Sequence, residues 1–360
     1  MEDLSFEKKS NVCFLAGVVD VDYLYYSSYN FGGLWKLNIN NGNTEMIDIF
    51  PENRKHEFAF RIDDEIWFVP AYLEKDIFDI FNMKELSIRS ITVKGVVGAG
   101  RKFSDYIELD DEIWVMPASA EYIIIINKNS RDINYLFLDD LNLGNSDIDF
   151  ISSAKVGNYI FLCSIKQGTL LKINIDTKEA KTINLQKEDC IFRNIFDYGK
   201  YLYIVPKNIN GNGIIKYDSE RDEILEEYVI FNNSDMGEMI CQACERLGKY
   251  VFLSPFNSNK IIKWEIDGSI ESININCIDN SSFQKLSYWE AINTKNGFIF
   301  GIEIAGAPIL VIENQGTMRL IETKGDELRQ GLLKILGKLE NVYPKSENRN
   351  IGDRIYEYLK

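Results

Sequence analysis

Short runs of alternating apolar and polar residues follow one another along almost the whole chain, separated by turns rich in Gly, Asn and Asp. A period of two, with many β-branched and aromatic residues, predicts half-buried β-strands rather than helices. The clearest segment, DEIWFVPA at residues 64–71, returns as DEIWVMPA at residues 111–118. Weaker copies recur from one end to the other, which predicts an array of one repeated unit.

The repeat is aligned on one apolar residue near the start of each octapeptide. Successive copies lie roughly 46 residues apart, a spacing typical of a propeller blade. Each interval holds four predicted strands, namely one before the octapeptide, the octapeptide itself and two after it. Such a unit cannot bury both of its faces alone, so neighbouring units are expected to stack. The aligned residues are Leu24, Ile66, Ile113, Ile160, Leu202, Val251 and Ile299.

Seven copies fit between about residues 11 and 324, so the chain is predicted to be all-β, a seven-bladed β-propeller with a short C-terminal α-helical extension. The blades are expected to begin near residues 11, 56, 103, 150, 191, 239 and 287, within a propeller of residues 1–324. Because each blade takes four consecutive strands, the ring is expected to close by packing of the seventh blade on the first.

Residues 325–360 are predicted to form the extension. Its first part has the pattern of an amphipathic helix with Asp326 as N-cap. Either the helix buries its leucines against the propeller or it docks a partner. The leucines of its apolar face are Leu328, Leu332, Leu336 and Leu339.

In repeat length and strand content the chain resembles the β-propeller repeat proteins, the WD40-like, YVTN-like and kelch-like group, across about 310 residues. Their signatures are missing. No Gly-His and Trp-Asp pair recurs, Gly32–Gly33 is the one Gly-Gly, and there is no YVTN run. The resemblance therefore implies the fold and assigns no functional residue.

Charge and composition narrow the range of possible functions. The net charge of −15 and the pI near 4.8 argue against a general nucleic-acid binder. No apolar run reaches the length of a membrane span, and the first ten residues lack the apolar region of a signal peptide. The expectation is a cytoplasmic protein with reduced cysteines, and the frequent Ile, Asn and Lys suggest a bacterial source.

By analogy with other propellers, a ligand is expected at the top mouth of the central channel, where the innermost strands begin. Near the start of each innermost strand lies one residue that is predicted to pack between blades. Most members of this set of seven are aromatic, and His56 belongs to it. The next residue should point the opposite way, into the mouth. Its polar members are candidates to bind a zwitterionic or hydroxylated molecule: Glu57, Ser104, Arg193, Gln242 and Glu290.

Two further sets of residues lie near the channel. The loops after the second strands carry Tyr72, Tyr122, Lys207 and Phe256, which would suit a sugar, a peptide or an anionic group. Near the ends of the innermost strands the charge alternates in sign, and these side chains are predicted to pair between neighbouring blades. That ring comprises Arg61, Glu108, Lys155, Asp197 and Arg246.

Catalytic motifs are scarce. His56, the one histidine, is predicted to be packed and hydrogen-bonded rather than a general base. Cys241 and Cys244 form a CxxC on a predicted strand, where residues three apart face opposite sides, so both are interpreted as structural thiols. No phosphate loop, dinucleotide fingerprint or metal motif is present, and no cofactor is expected.

The sequence therefore predicts a non-enzymatic binding or scaffold propeller that engages a protein partner or a small polar molecule at the top mouth of the channel. The alternative is a carboxylate-dependent hydrolase or lyase acting on a carbohydrate. In that case Glu57 and Glu290 would be the acid/base pair, since such enzymes need two carboxylates facing each other across a cleft.

Overall fold

The structure is a computed structural model. It describes residues 12–28, 32–71, 77–93, 101–139, 149–164, 168–187, 190–207, 213–230, 241–255, 260–274, 288–302, 309–313 and 316–325, together with four helical positions, Glu327, Gln330, Gly331 and Lys334. In these parts of the chain, no helix is long and apolar enough to cross a membrane.

The described residues form 28 strands, β1–β28, grouped four to a blade in chain order. Blade 1 comprises β1 (Phe14–Asp20), β2 (Tyr23–Ser28), β3 (Gly33–Asn38) and β4 (Thr44–Ile49). Blade 2 comprises β5 (His56–Ile62), β6 (Glu65–Pro70), β7 (Ile77–Asn82) and β8 (Ser87–Thr92). Blade 3 comprises β9 (Phe103–Glu108), β10 (Glu112–Pro117), β11 (Tyr122–Asn127) and β12 (Ile133–Phe137). Blade 4 comprises β13 (Phe150–Val156), β14 (Tyr159–Ser164), β15 (Thr169–Asn174) and β16 (Ala180–Asn184).

The remaining three blades repeat the pattern. Blade 5 comprises β17 (Phe192–Tyr198), β18 (Tyr201–Pro206), β19 (Ile214–Asp218) and β20 (Glu223–Tyr228). Blade 6 comprises β21 (Cys241–Leu247), β22 (Tyr250–Pro255), β23 (Lys260–Glu265) and β24 (Ile270–Asn274). Blade 7 comprises β25 (Tyr288–Asn293), β26 (Gly297–Ile302), β27 (Ile309–Glu313) and β28 (Thr317–Ile321). The predicted seven-bladed all-β fold is confirmed.

Strands pair antiparallel with their neighbours in the chain, and among the described strands none is shared between the first and last blades. The ring closes where Phe14 of β1 pairs with Ile302 of β26, which joins blades 1 and 7 into one sheet. The second strands carry the octapeptides and are buried on both faces, whereas outer strands such as β8 and β20 are largely exposed. A strand buried on both faces is apolar at almost every position, so this difference in burial explains why the octapeptide is the clearest part of the repeat.

The alignment of the seventh copy is wrong by one residue. In blade 2, Arg61 pairs with Ile66, and the same pairing recurs in blades 1 and 3–6. In blade 7, Asn293 pairs with Phe298. Phe298 rather than Ile299 is therefore the counterpart of Ile66. The turn between β25 and β26 lies one residue earlier in the chain than the sequence alignment placed it.

A register shift interrupts each innermost strand near its start. In blade 2, His56 pairs with Pro70 and Phe58 with Val69, which leaves Glu57 as the extra residue of a β-bulge. Similar shifts occur in the other six blades. A bulge changes the direction of the side chains beside it, so simple alternation does not hold at the positions predicted to line the mouth.

The chain returns to blade 1 after β28. Lys324 forms a parallel bridge with Asn43; its N–H donates to the Gly42 carbonyl at 2.7 Å. The carboxylate of Glu327, which is 0% exposed, accepts bonds from Tyr26 Oη at 2.7 Å and Ser28 Oγ at 2.5 Å. Gln330 Oε1 accepts from the Met46 N–H at 3.1 Å. We call Lys324, Glu327 and Gln330 the C-terminal latch.

The C-terminal latch covers part of blade 1, and Glu327, Gln330 and Gly331 are helical. The predicted N-cap Asp326 and the predicted apolar stripe lie outside the described residues. The stripe consists of Leu328, Leu332, Leu336 and Leu339.

Candidate functional site

Two adjoining cavities lie along the inner wall of the ring, with volumes of about 740 Å³ and about 390 Å³. They share Asp105, Tyr106 and Glu108 of β9, so they are parts of one continuous channel. The larger cavity is lined mainly by blades 1, 2, 3 and 7 and includes turn residues such as Asp22 and Asn296. The smaller cavity is lined mainly by blades 3–6. We call the smaller one the polar cavity.

Three of the five residues predicted at the mouth line the polar cavity. They are Ser104, Arg193 and Gln242. Arg193 Nε donates to the Gln242 carbonyl at 2.7 Å, which links blades 5 and 6. Ser104 is buried, and its hydroxyl donates to the Pro117 carbonyl of the adjacent strand at 3.1 Å. The chain thus uses part of the predicted set to hold the cavity wall together.

Glu57 is placed differently. It is buried, its carboxylate lies 2.9 Å from Arg101 Nε, and it lines neither cavity. Glu290 lies on β25, but its side chain is outside the described residues. Of the carboxylates suggested as an acid/base pair, Glu57 is therefore held in an ion pair and does not line either cavity.

The residue that follows each bulge was missed by the sequence reasoning. Asp105, Ser152 and Asn194 occupy this position in blades 3, 4 and 5, and all three line the polar cavity. Because a bulge places two successive side chains toward one region, the wall is built from this position as well as from the predicted one. The signal available in the sequence was a polar residue at this position in three successive blades, whereas blades 2, 6 and 7 hold Phe58, Ala243 and Ala291 there.

These residues form a hydrogen-bonded chain around the channel. Asp105 Oδ2 accepts from the Ser153 N–H at 2.8 Å and from Ser153 Oγ at 2.9 Å. Ser152 Oγ donates to Asn194 Oδ1 at 2.8 Å, and Asn194 Nδ2 donates to the Cys244 carbonyl at 2.6 Å. This series of hydrogen bonds connects blade 3 to blade 6 and fixes the orientation of the polar groups.

Glu245 completes this wall from blade 6. Burial raises the pKa of its carboxyl to about 7, and the carboxylates of Asp105 and Asp197 act in the same direction. A bond from the Arg246 N–H to Glu245 Oε1 at 3.1 Å, together with the charge of Arg246, opposes this effect only in part. Glu245 is therefore a carboxyl that changes its charge near neutral pH.

The predicted rim residues divide into three cases. Tyr122 is not on a loop: it is the first residue of β11, is 2% exposed and packs against Phe103, Tyr135 and Phe137. Its apolar ring fills the space between strands, so the loop assignment is wrong. Lys207 is exposed directly after β18. Tyr72 and Phe256 lie outside the described residues.

The ring of alternating charges is paired only in part between blades. Arg246 Nη2 lies 3.6 Å from Asp197 Oδ2, as predicted. Arg61 bonds Asp20, the last residue of β1 in blade 1, at 2.7 Å, and Glu108 pairs with Lys128 of its own blade at 3.1 Å. Lys155 is exposed at this end of the channel. Arg61 thus pairs with the neighbouring blade but not with a member of the predicted ring, and Glu108 pairs within its own blade.

His56 belongs to a separate buried network in blade 2. Its Nδ1 lies 2.8 Å from Ser27 Oγ and its Nε2 lies 3.0 Å from Asp79 Oδ2. Asp79 also accepts from Arg54 Nε at 2.8 Å, from Arg54 Nη2 at 2.6 Å and from Ser90 Oγ at 2.6 Å. None of these groups lines either cavity, so the contact of a serine, a histidine and an aspartate is structural here.

The pKa values of this network agree with that role. Burial lowers the pKa of His56, which favours the neutral imidazole. Burial alone would raise the pKa of Asp79, but hydrogen bonds from Arg54, His56 and Ser90 lower it to about 2.

Both cysteines of the CxxC motif are buried free thiols. Cys241 and Cys244 are buried on β21, and burial raises the pKa of the Cys241 thiol to about 12. Neither thiol is therefore ionised near neutral pH. In the described ranges no three His, Cys, Asp or Glu side chains are grouped so as to hold a metal ion.

Seven four-stranded blades around a central channel define the chain as a β-propeller protein. No protein-family model and no curated protein sequence matches it. Solved structures do match it in shape. A streptogramin B lyase has a TM-score of 0.63 and 13% identity, with 89% of this chain and 97% of that chain covered.

Two other propellers are similar. A catalytically inactive virginiamycin B lyase from Staphylococcus aureus, solved with quinupristin, has a TM-score of 0.61 and 14% identity, over 84% of this chain and 95% of that chain. YCF48 bound to D1 peptide has a TM-score of 0.61 and 10% identity, over 88% and 93%. At these identities the likeness shows the fold alone.

Proposed function

We propose that this protein is a non-enzymatic binding protein whose central channel holds a small polar ligand. The observation that carries the proposal is the polar cavity, where Asp105, Asn194 and Glu245 from three different blades line one space of about 390 Å³. A pocket of this size with a few convergent, oriented polar groups is the usual form of a small-molecule site.

The pre-formed hydrogen bonds support binding rather than wall packing alone. Ser152, Ser153 and Asn194 hold one another and Asp105 in place before any ligand arrives. Fixed polar groups lose little conformational entropy when a ligand binds, which favours affinity and selectivity. A protein partner would reach the same groups through a polar segment entering the channel, and the peptide held by YCF48 is a precedent within this fold.

The hydrolase or lyase alternative has less support. Glu57 is paired with Arg101 and lines neither cavity, so one member of the acid/base pair suggested by the sequence is held in an ion pair. Two lyases share the fold, but their low identity carries no residue over to this chain. Glu245, which lines the polar cavity, has a pKa of about 7 that suits acid/base catalysis at neutral pH, and its role is therefore tested directly.

The test is a thermal-shift screen of the full chain against sugars, nucleotides, amino acids and short peptides. Each hit is repeated on Arg193→Ala and on Glu245→Gln. Matched controls in the same blades are Arg221→Ala and Glu271→Gln, whose side chains are 69% and 63% exposed. We expect a ligand whose stabilisation disappears in the two channel variants and persists in both controls.

Two outcomes would contradict the proposal. A ligand that stabilises the channel variants as well as the parent binds elsewhere. A ligand that is converted to product during incubation, with the conversion lost in Glu245→Gln, would establish an enzyme in place of a binding protein.

A further inference from the structure

The wall of the channel has two chemically different sides. Blades 3–6 present the hydroxyls, amides and charged groups of the polar cavity. The side formed by blades 7, 1 and 2 belongs to the larger cavity, where apolar side chains of the innermost strands lie beside polar and charged ones such as Arg61, Lys295 and Arg319. We call the apolar part of this side the apolar wall; it consists of Leu15, Val18, Val19, Phe58, Ala59 and Ile292.

The difference is present at equivalent strand positions. The residue after the bulge is Asp105 in blade 3, Ser152 in blade 4 and Asn194 in blade 5. In blade 2 the same position holds Phe58. Phe58 is 6% exposed and its ring stacks on Tyr106 of blade 3, with 5.9 Å between the centroids, so the channel wall is closed there by apolar atoms. A ligand with one polar and one apolar end matches both sides.

Charge indicates which kind of polar end fits. The described wall of the polar cavity carries more carboxylates than cationic groups. The carboxylates are those of Asp105, Glu108, Asp197 and Glu245, and the cationic groups are those of Lys155 and Arg193. Lys155 is exposed at the lower end, and Arg193 is engaged with the Gln242 carbonyl. The net charge of −15 also attracts cations toward the protein.

We propose that the channel binds an amphiphilic cation, a small molecule whose ammonium or guanidinium group contacts Asp105 and Glu245 and whose apolar part lies on the apolar wall. This inference rests on the proposed function, because it names the ligand class of the same channel. A cation beside the two carboxylates removes the repulsion between them, and it gains the most where water is partly excluded.

The binding is expected to depend on pH. The carboxylates of Asp105 and Asp197 raise the pKa of Glu245, and Arg246 on its own strand lowers it. The other charged groups in the described lining of the same cavity are Arg193, Lys155 and Glu108; the side chain of Glu290 on β25 lies outside the described residues. Glu245 is ionised above pH 7 or so, and only the anion attracts a cation. A ligand that binds the ionised form alone gains about tenfold in affinity between pH 6 and pH 8.

The experiment compares four probes of defined chemistry by isothermal titration and ligand-observed NMR. 2-Phenylethylamine carries both features, 2-phenylethanol lacks the charge, phenylacetate reverses it, and methylamine lacks the apolar part. We expect 2-phenylethylamine to bind at least tenfold more tightly than each of the other three at pH 8, and to lose most of this advantage at pH 6.

Variants assign the two contacts separately. Glu245→Gln, alone and with Asp105→Asn, should remove the preference for 2-phenylethylamine over 2-phenylethanol and the dependence on pH. Val19→Thr should reduce the preference over methylamine and leave the pH dependence intact. Glu271→Gln in blade 6 is the control for Glu245→Gln. The single variant keeps the test valid if the double variant does not fold.

The failures of the two proposals are distinguishable. If phenylacetate or 2-phenylethanol binds best and Arg193→Ala abolishes that binding, the channel is a ligand site but the amphiphilic-cation inference is wrong. If all four probes fail to bind, or if binding survives every channel variant, the result counts against this inference and, together with a negative thermal-shift screen, against the proposed function.

Discussion

Asp79 in blade 2 and Glu245 in blade 6 are two carboxyls in the inner parts of the propeller with opposite behaviour. Asp79 is completely buried and receives donors from Arg54, His56 and Ser90, and its pKa is about 2. Glu245 accepts one backbone N–H, lies near other carboxylates, and has a pKa of about 7. Burial opposes ionisation of both groups; the supply of donors decides the outcome.

The comparison separates structural from functional candidates within one fold. A buried carboxylate whose acceptor sites are filled belongs to the packing of the protein, and removing it breaks several contacts at once. A carboxyl that faces a cavity with few donors is destabilising in its charged form and is available to a ligand. Neutralising the two groups should therefore change stability in opposite directions.

The largest effect is expected at Asp79. Asp79→Ala leaves Arg54 and His56 without their buried partner, and such losses typically reduce the free energy of unfolding by about 3–5 kcal/mol. Urea denaturation at pH 7 measures the change. Asp110→Asn, at an exposed turn, is the control and should change the value by less than about 0.5 kcal/mol. A change of that small size for Asp79→Ala would break the comparison.

Glu327 extends the comparison to the C-terminal latch, because this buried carboxylate also has its donors in place. Glu327→Ala leaves the hydroxyls of Tyr26 and Ser28 buried without this acceptor, which should reduce the free energy of unfolding by about 1–3 kcal/mol. Urea denaturation again gives the value, and Lys334→Ala, at an exposed helical position, is the control. Equal unfolding curves for both variants would show that the latch does not stabilise the ring.

Glu245→Gln should stabilise the protein at high pH. The folded-state pKa of Glu245 is raised to about 7 from its ordinary value of 4.5, so its contribution is fully present below pH 4.5 and is lost as the pH rises through 7. Glutamine avoids that loss. We expect the variant to be more stable than the parent by about 1–3 kcal/mol at pH 8 and nearly equal at pH 5. A destabilised variant at pH 8 would place Glu245 in the same class as Asp79.

His56 provides the smallest expected effect. Its folded-state pKa is lowered from 6.5, so its contribution is present above pH 6.5 and is lost as the pH falls below it. In the Glu245→Gln background, which removes the opposite slope, the free energy of unfolding should fall by about 1 kcal/mol between pH 7 and pH 5.5. Adding His56→Gln should flatten this dependence; an unchanged slope would assign it to other groups.

The strands and the number of blades could be predicted because both follow from periods along the chain. Alternation marks each strand, and the repeated octapeptide marks each blade. The candidate site was less accessible. Bulges near the starts of the innermost strands shift the side-chain direction, so that Asp105, Ser152 and Asn194 were missed although their immediate neighbours were considered. Period-two reasoning has no means of detecting one inserted residue.

Contacts between distant parts of the chain were out of reach for the same kind of reason. Tyr122 was placed on a loop after a second strand, but it begins β11 and its ring packs into the core between strands. Glu327 looks like an ordinary charged residue of a helix, and nothing near it in sequence indicates that Tyr26 and Ser28 surround it. Burial of a charge is decided by partners that sequence proximity does not reveal.

The C-terminal latch also has a consequence for how the chain is made. Tyr26 and Glu327 are 301 residues apart in sequence, and translation at roughly 5–20 residues per second takes about 15–60 s to cover that distance. Throughout this time blade 1 has been synthesised, but Glu327, which accepts the hydrogen bonds of Tyr26 and Ser28, has not. The nascent chain must therefore protect an open ring edge for most of its synthesis, a period in which a chaperone has more opportunity to act than at any later time.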